Sequence, residues 1–254
     1  ATCLAESTIT ISGSTTVLPL AQKAAEEYMK RYPEVRISVS GTGSGDGIRA
    51  LMDGTADIAD SSRDLKAKEK TLAQKRGLQL SKHVVALDCI VPIVHPSNPI
   101  ANLSLDQLRD IYAGKVRNWK QVGGQDRQVV AISRDSSSGT FEVWNHIVLG
   151  KRIRVRPDAQ LQASNGAVAQ AVAGNKYAIG YVGLGYLNNQ VKAITVNGVS
   201  AGSDTAKSGA YPIARGLNMF TKQKPRLAVK AFLDFIMGPI GQKAVAQEGF
   251  VPVK

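Results

Sequence analysis

Hydrophobic positions along the chain switch repeatedly between two periods. Residues 8–11 and 35–39 alternate apolar and polar as strands with one buried face do. Between them Leu18, Ala21, Ala24, Ala25 and Tyr28 recur at helical spacing and Pro33 closes the run, which predicts a helix over 17–31. The same reading predicts a short helix over 48–53, a strand over 56–59, a charged helix over 66–76 and a long apolar strand over 84–94. From Leu103 onward it predicts a helix over 103–114 stopped by Gly114, a turn over 118–124, a strand over 129–132 and a helix over 141–149. A basic strand or loop at 152–156, a small-residue helix at 167–173, strands at 178–183 and 194–196, and an extended segment at 211–221 follow. An amphipathic helix over 227–237 and a second one after Pro239 close the chain.

Strands alternating with helices predict an α/β architecture, whose ligands sit beyond the carboxyl ends of the strands. In the first half, three successive strands run into loops rich in hydroxyls and glycine: Ser12-Gly13-Ser14-Thr15-Thr16, Gly41-Thr42-Gly43-Ser44-Gly45-Asp46-Gly47 and Asp60-Ser61-Ser62-Arg63-Asp64. A fourth, Arg134-Asp135-Ser136-Ser137-Ser138-Gly139-Thr140, follows the strand at 129–132 and opens a helix. The first turn of a helix leaves backbone N–H groups without intrahelical acceptors, and partial positive charge collects there. An oxyanion suits such a place, and Arg134 adds a fork of donors matched to phosphate or carboxylate oxygens. Any one of these loops is also an ordinary Ser-capped helix start. Their recurrence on one rim is the stronger argument: it offers many neutral donors and few fixed charges.

Composition narrows the picture. The chain has 254 residues, 43% hydrophobic and 20% charged, enough for one large domain or two moderate ones. No run approaches the roughly 18 apolar residues of a membrane-spanning helix. The start at Ala1 suits a mature form from which a signal peptide has been removed. A formal net charge of +12 favours anionic partners, yet the basic residues are scattered. With 6% aromatics and no finger, zipper or RNA-recognition signature, the chain is not expected to bind nucleic acid. Cys3 and Cys89 make no metal site. They are compatible with one long-range bridge, with a buried Cys89, or with a lipid on Cys3.

Enzyme signatures are missing where they would count. The glycines at 41, 43, 45 and 47 lack the Lys-Ser/Thr ending of a P-loop and the dinucleotide spacing, and instead suggest close backbone approach. Gly198-Val199-Ser200-Ala201-Gly202 matches Gly-x-Ser-x-Gly but no helix pattern follows it, so it reads as a loop. His83, His95 and His146 are isolated, Trp119 and Trp144 read as core, and the acids are too dispersed for a general acid/base pair. No metal or cofactor is called for.

Several segments, in order from about Thr8 to Pro252, resemble bacterial phosphate-binding proteins, the extracytoplasmic receptors of the ABC-type phosphate importer. They are Ile11-Ser12-Gly13-Ser14-Thr15-Thr16-Val17, Gly43-Ser44-Gly45-Asp46-Gly47-Ile48, Ala56-Asp57-Ile58-Ala59-Asp60-Ser61-Ser62-Arg63, the stretch 103–124, Ala178-Ile179-Gly180-Tyr181-Val182-Gly183 and Tyr211-Pro212-Ile213-Ala214-Arg215. The resemblance implies a two-lobed, periplasmic-binding-protein-like (type II) α/β fold, with mixed sheets flanked by helices and two crossing hinge strands. Lobe 1 would be 1–88 plus 217–254, lobe 2 would be 89–216, and the hinges 84–94 and 211–221. It implies a non-enzymatic receptor, monomeric and without cofactor, that closes on inorganic phosphate and delivers it to a membrane-embedded ABC permease. The phosphate ligands carried over are Ser14, Thr15, Thr16, Ser44, Ser62, Arg134, Ser138, Gly139 and Thr140.

One departure matters. Many members of the family place an Asp where this chain has Ser62, and a carboxylate there accepts the proton of HPO₄²⁻ and rejects sulfate. Asp60, Asp64, Asp46 and Asp135, or a Ser hydroxyl acting as acceptor, are candidates to replace it, and Arg63 is either a second cation on the ligand or a structural ion pair. Sulfate, molybdate and arsenate remain alternative ligands, and an adhesive surface protein on the same fold is the alternative suggested by the charge. Arg134→Ala is expected to remove most anion affinity while leaving the melting temperature of the apo protein nearly unchanged.

Overall fold

A computed structural model describes residues 7–150 and 152–254. The bridge and lipidation readings both involve Cys3, which lies outside the described residues; Cys89 is a buried free thiol, its pKa pushed up to about 12, chiefly by burial.

The elements in chain order are β1 (Ser7–Gly13), α1 (Leu18–Arg31), β2 (Val35–Gly41), α2 (Ser44–Asp53), β3 (Ile58–Ser61), α3 (Ala67–Lys75) and β4 (Leu80–Val94). After them come β5 (Asn102–Leu103), α4 (Leu105–Ala113), β6 (Val130–Arg134), α5 (Gly139–Trp144), β7 (Gln160–Gln162), α6 (Asn165–Ala173) and β8 (Ala178–Gly183). The last are β9 (Lys192–Ala193), β10 (Thr195–Val196), α7 (Ser203–Lys207), β11 (Ala214–Lys222), α8 (Leu227–Ile236) and α9 (Pro239–Gln247). The chain divides into two compact units: Ala1–Leu87 with Gly216–Lys254, and Asp88–Arg215. It passes from one to the other twice, inside β4 and inside β11.

In the first unit β1 pairs in parallel with β2 and β3, and β11 runs antiparallel to β3. The apolar face of α1 carries Leu20, Ala21, Ala24, Ala25 and Tyr28 into the core, where Tyr28 meets Phe232 and Phe235 of α8 edge-on. On the other side Ile48, Leu51 and Met52 of α2 pack with Ala59, Ala73 and Phe220. Gly47 lets α2 come this close: a Cβ there would stand 2.4 Å from the Ser12 carbonyl oxygen and 2.5 Å from the Gly13 Cα. That crowding explains a glycine after a strand without any nucleotide.

In the second unit β8 runs antiparallel to β4 and parallel to β6, β7 is parallel to β6, and β9 is antiparallel to β4. Trp144 stacks on Tyr181 at 4.2 Å between ring centroids, and Tyr112 packs edge-on against both. The hydroxyl of Tyr112 donates to the carbonyls of Ile132 and Ile179, which fastens this aromatic core to β6 and β8. α4 starts at Leu105 rather than 103, because Leu103 belongs to β5 and Ser104 caps the helix in a reciprocal capping box with Gln107; Gly114 stops the other end at φ 79°, as expected.

Boundaries differ from the sequence expectation where a cap extends an element. β3 starts at Ile58 rather than 56, because the N–H groups of Thr55 and Ala56 still return to the Ala50 carbonyl after Gly54 closes α2. The helix expected over 141–149 starts at Gly139 and widens into a π-helical turn over Asn145–Leu149. A helix does follow the Gly-x-Ser-x-Gly match, contrary to expectation: α7, of five residues. No strand leads into it directly. Val196 and Val199 instead close a tight turn through Asn197 and Gly198, both at positive φ, so a loop it remains.

Candidate functional site

Each unit carries its own cluster of the residues singled out from the sequence. In the first unit three loops are stitched together by their backbones. At the end of β1 the Gly13 carbonyl accepts the N–H groups of Thr42 and Gly43, and the Ser14 N–H donates to the Asp60 carbonyl. Gly13 is required here, since its φ is +145° and a Cβ would lie 2.1 Å from the Asp60 carbonyl oxygen. Ser14 Oγ accepts the Thr16 N–H at 3.1 Å, folding the hydroxyl loop over the approach to α1. Ser44 opens α2, and its Oγ accepts the Ser62 N–H at 3.1 Å, while the two hydroxyls stand 3.5 Å apart. Ser14, Thr15, Thr16, Ser44 and Ser62 are thus brought together, all buried. The first-turn N–H groups of α2 have no acceptor inside the helix and carry its positive end.

Four carboxylates were candidates to stand in for the missing Asp, and their surroundings differ. Asp46 is exposed. Asp64 pairs with Lys82 at 2.8 Å on the surface. Asp135 accepts both the N–H and the hydroxyl of Ser137, at 2.8 and 2.6 Å. Asp60 alone of the four is buried, 1% exposed, and neither of its carboxyl oxygens has a hydrogen-bond partner. Burial holds its carboxyl well above the usual carboxylate range. Arg63 resolves as an ion pair: its guanidinium forks onto Glu69 at 2.7 and 2.8 Å and donates to the Asp64 carbonyl.

In the second unit Ser138 caps α5, its Oγ accepting the Phe141 N–H at 3.1 Å and its carbonyl the Glu142 N–H. Gly139 and Thr140 form the first turn of that helix, and both are buried. Arg134, 1% exposed at the end of β6, donates Nε to the Gln162 carbonyl and Nη2 to the Ala163 carbonyl, each at 2.9 Å. Desolvation pulls its pKa down, with Asp135 opposing. Arg134 therefore fastens the end of β7 and the entry to α6, and truncating it costs stability as well as charge. These two bonds lead us to expect a lower melting temperature for Arg134→Ala, in place of an unchanged one.

Sequence reasoning passed over one further pair. Arg215 grips the fully buried Asp88 through Nε at 2.9 Å and Nη2 at 2.8 Å, and its Nη1 donates to the Thr140 hydroxyl at 3.1 Å. The signal was present, since Asp88 interrupts the apolar run of β4, and a charge in a buried strand needs a partner. The three histidines and the remaining acids assemble no metal site: among the described residues no group of three or more His, Cys, Asp or Glu could hold a metal ion. Each cluster by itself offers hydroxyls and a helix N-terminus, a chemistry suited to holding an oxyanion.

Comparison with known proteins points the same way. A family model described as a PBP superfamily domain matches residues 4–239. The phosphate-binding protein PstS of Borreliella burgdorferi is 33% identical, with 98% of this chain and 91% of that protein aligned. PstS of Bacillus subtilis is 32% identical over 98% of this chain and 82% of its own length. A crystal structure from Clostridium perfringens, a phosphate ABC transporter substrate-binding protein with bound phosphate, superposes with a TM-score of 0.92 at 36% identity, covering 97% of this chain and all of that one.

Proposed function

This chain belongs to the PBP superfamily, in the family of PstS phosphate-binding proteins, and on that premise we propose that it binds inorganic phosphate for uptake by an ABC transporter. It does so as a monomeric receptor outside the cytoplasmic membrane, handing phosphate to the permease without chemical change. The observation that carries the reading is the stitching of three buried hydroxyl loops in the first unit, with Ser44 Oγ on the Ser62 N–H and Gly13 under both Thr42 and Gly43.

Ser14, Thr15, Thr16, Ser44 and Ser62 supply neutral donors, and Arg134, Ser138, Gly139 and Thr140 supply a guanidinium, hydroxyls and backbone N–H groups. Donors held in place before the ligand arrives need little ordering on binding, which favours tight and reversible capture. Asp60 takes the part of the carboxylate that many relatives place at Ser62. In its ionised form a buried carboxylate with unengaged oxygens accepts the proton of HPO₄²⁻ and is left unsatisfied by sulfate, a mismatch worth about 1–3 kcal/mol. Titration calorimetry against phosphate, arsenate, sulfate and molybdate tests this. Saturation by phosphate at one site per chain with no heat from sulfate is expected, and saturation by sulfate but not phosphate would refute it.

A further inference from the structure

Asp88 and Arg215 are the first and last residues of the second unit, the places where the chain enters and leaves it. They are joined by two short contacts, 2.9 Å from Nε and 2.8 Å from Nη2, with side chains 0% and 5% exposed. Asp88 is held from its other side, where Oδ1 accepts the Leu184 N–H at 2.8 Å. The backbone is tied at the same level: the Ile90 N–H donates to the Ile213 carbonyl, and the Tyr211 hydroxyl to the Ile90 carbonyl. From this anchored frame Arg215 extends Nη1 to Thr140 Oγ1 at 3.1 Å. A guanidinium can only donate, so the Thr140 oxygen accepts, and the hydroxyl proton is turned away from Arg215. A hydroxyl that accepts from a cation is also a stronger donor.

We propose that Arg215, oriented by Asp88, is a positioning residue for anion binding, setting the Thr140 hydroxyl as a donor and tying the Ser138-Gly139-Thr140 loop to both chain crossings. The assignment rests on the proposed function, since Thr140 is taken there as a phosphate ligand. Asp88 and Arg215 then have opposite effects. Removing the carboxylate charge leaves the cation in place and raises the positive potential beside Thr140, so an anion is held more tightly. Removing the fork leaves the Thr140 hydroxyl without its fixed orientation, so the anion is held more loosely.

The test is titration of the full chain with phosphate, alongside the melting temperature of the phosphate-free protein, for wild type, Asp88→Asn, Arg215→Lys and Arg215→Met. Arg215→Lys keeps the charge but cannot fork onto Asp88 and reach Thr140 together. The expected result is weaker phosphate binding in both Arg215 variants, by about ten- to a hundredfold. Asp88→Asn is expected to bind more tightly than wild type although its phosphate-free form melts lower. A merely structural pair would weaken binding in all variants, in step with the fall in melting temperature. That result, or wild-type affinity in Arg215→Lys, would overturn the assignment. Arg215→Lys also decides the matter if Arg215→Met does not fold. No phosphate binding by the wild type would instead overturn the proposed function.

Discussion

Asp60→Asn is the substitution whose consequences follow most directly from a single side chain. Asp60 is buried with both carboxyl oxygens unengaged, and burial raises its pKa well above the ordinary 3.8. The unfolded chain therefore ionises Asp60 first, while the folded chain keeps the proton. A raised pKa in the folded state contributes stability that is fully present below about pH 4 and is lost as pH climbs toward the folded value. A full proton difference corresponds to about 1.4 kcal/mol for each pH unit in that window. Asparagine has nearly the same shape and no charge to form, so Asp60→Asn removes this slope. Urea unfolding of the phosphate-free protein at pH 4.5, 5.5 and 6.5 reads it out. The variant is expected to be close to wild type at the lowest pH and to gain on it as pH rises, by no more than about 1.4 kcal/mol per unit. Parallel profiles, or a variant that falls further behind as pH rises, would refute a proton-holding Asp60. The same variant should lose part of its preference for phosphate over sulfate.

Two other substitutions separate binding from architecture. Arg134→Ala should abolish measurable phosphate binding and also lower the melting temperature, since two hydrogen bonds from a charged donor to the Gln162 and Ala163 carbonyls, about 1.5–3 kcal/mol apiece, are lost; thermal melts and calorimetry on the same sample check both. Ser138→Asp keeps a good N-cap for α5 but sets a second negative charge against the anion. Its melting temperature should stay within a few degrees of wild type while phosphate binding disappears, and retained binding would remove Ser138 from the site.

Much of the fold was legible because strong local signals agreed. The helix at 17–31 combined period, a proline stop and small buried residues, and α1 occupies Leu18–Arg31. The stop at Gly114 fixed the end of α4, whose start was expected two residues early, at Leu103. The short strands β5, β7 and β9 offered two or three residues each, too few for any period to show. At the candidate site the hydroxyl loops declared themselves by recurrence, since serine, threonine and glycine after successive strands is unusual enough to notice. What could not be read was which charges are consumed by the protein itself. Nothing in the spacing of Arg63 and Glu69 distinguishes an ion pair from a ligand cation, and Arg134 gave no sign of its two backbone acceptors. Arg215 lies 127 residues from Asp88, so that pairing emerges only when β4 and the end of the second unit meet.

The central claim is that this chain captures inorganic phosphate selectively. Equilibrium dialysis of the purified protein against labelled phosphate, with sulfate in large excess, tests it most directly. One phosphate retained per chain, undiminished by sulfate, is the predicted result; label displaced by sulfate, or never retained, would contradict the account.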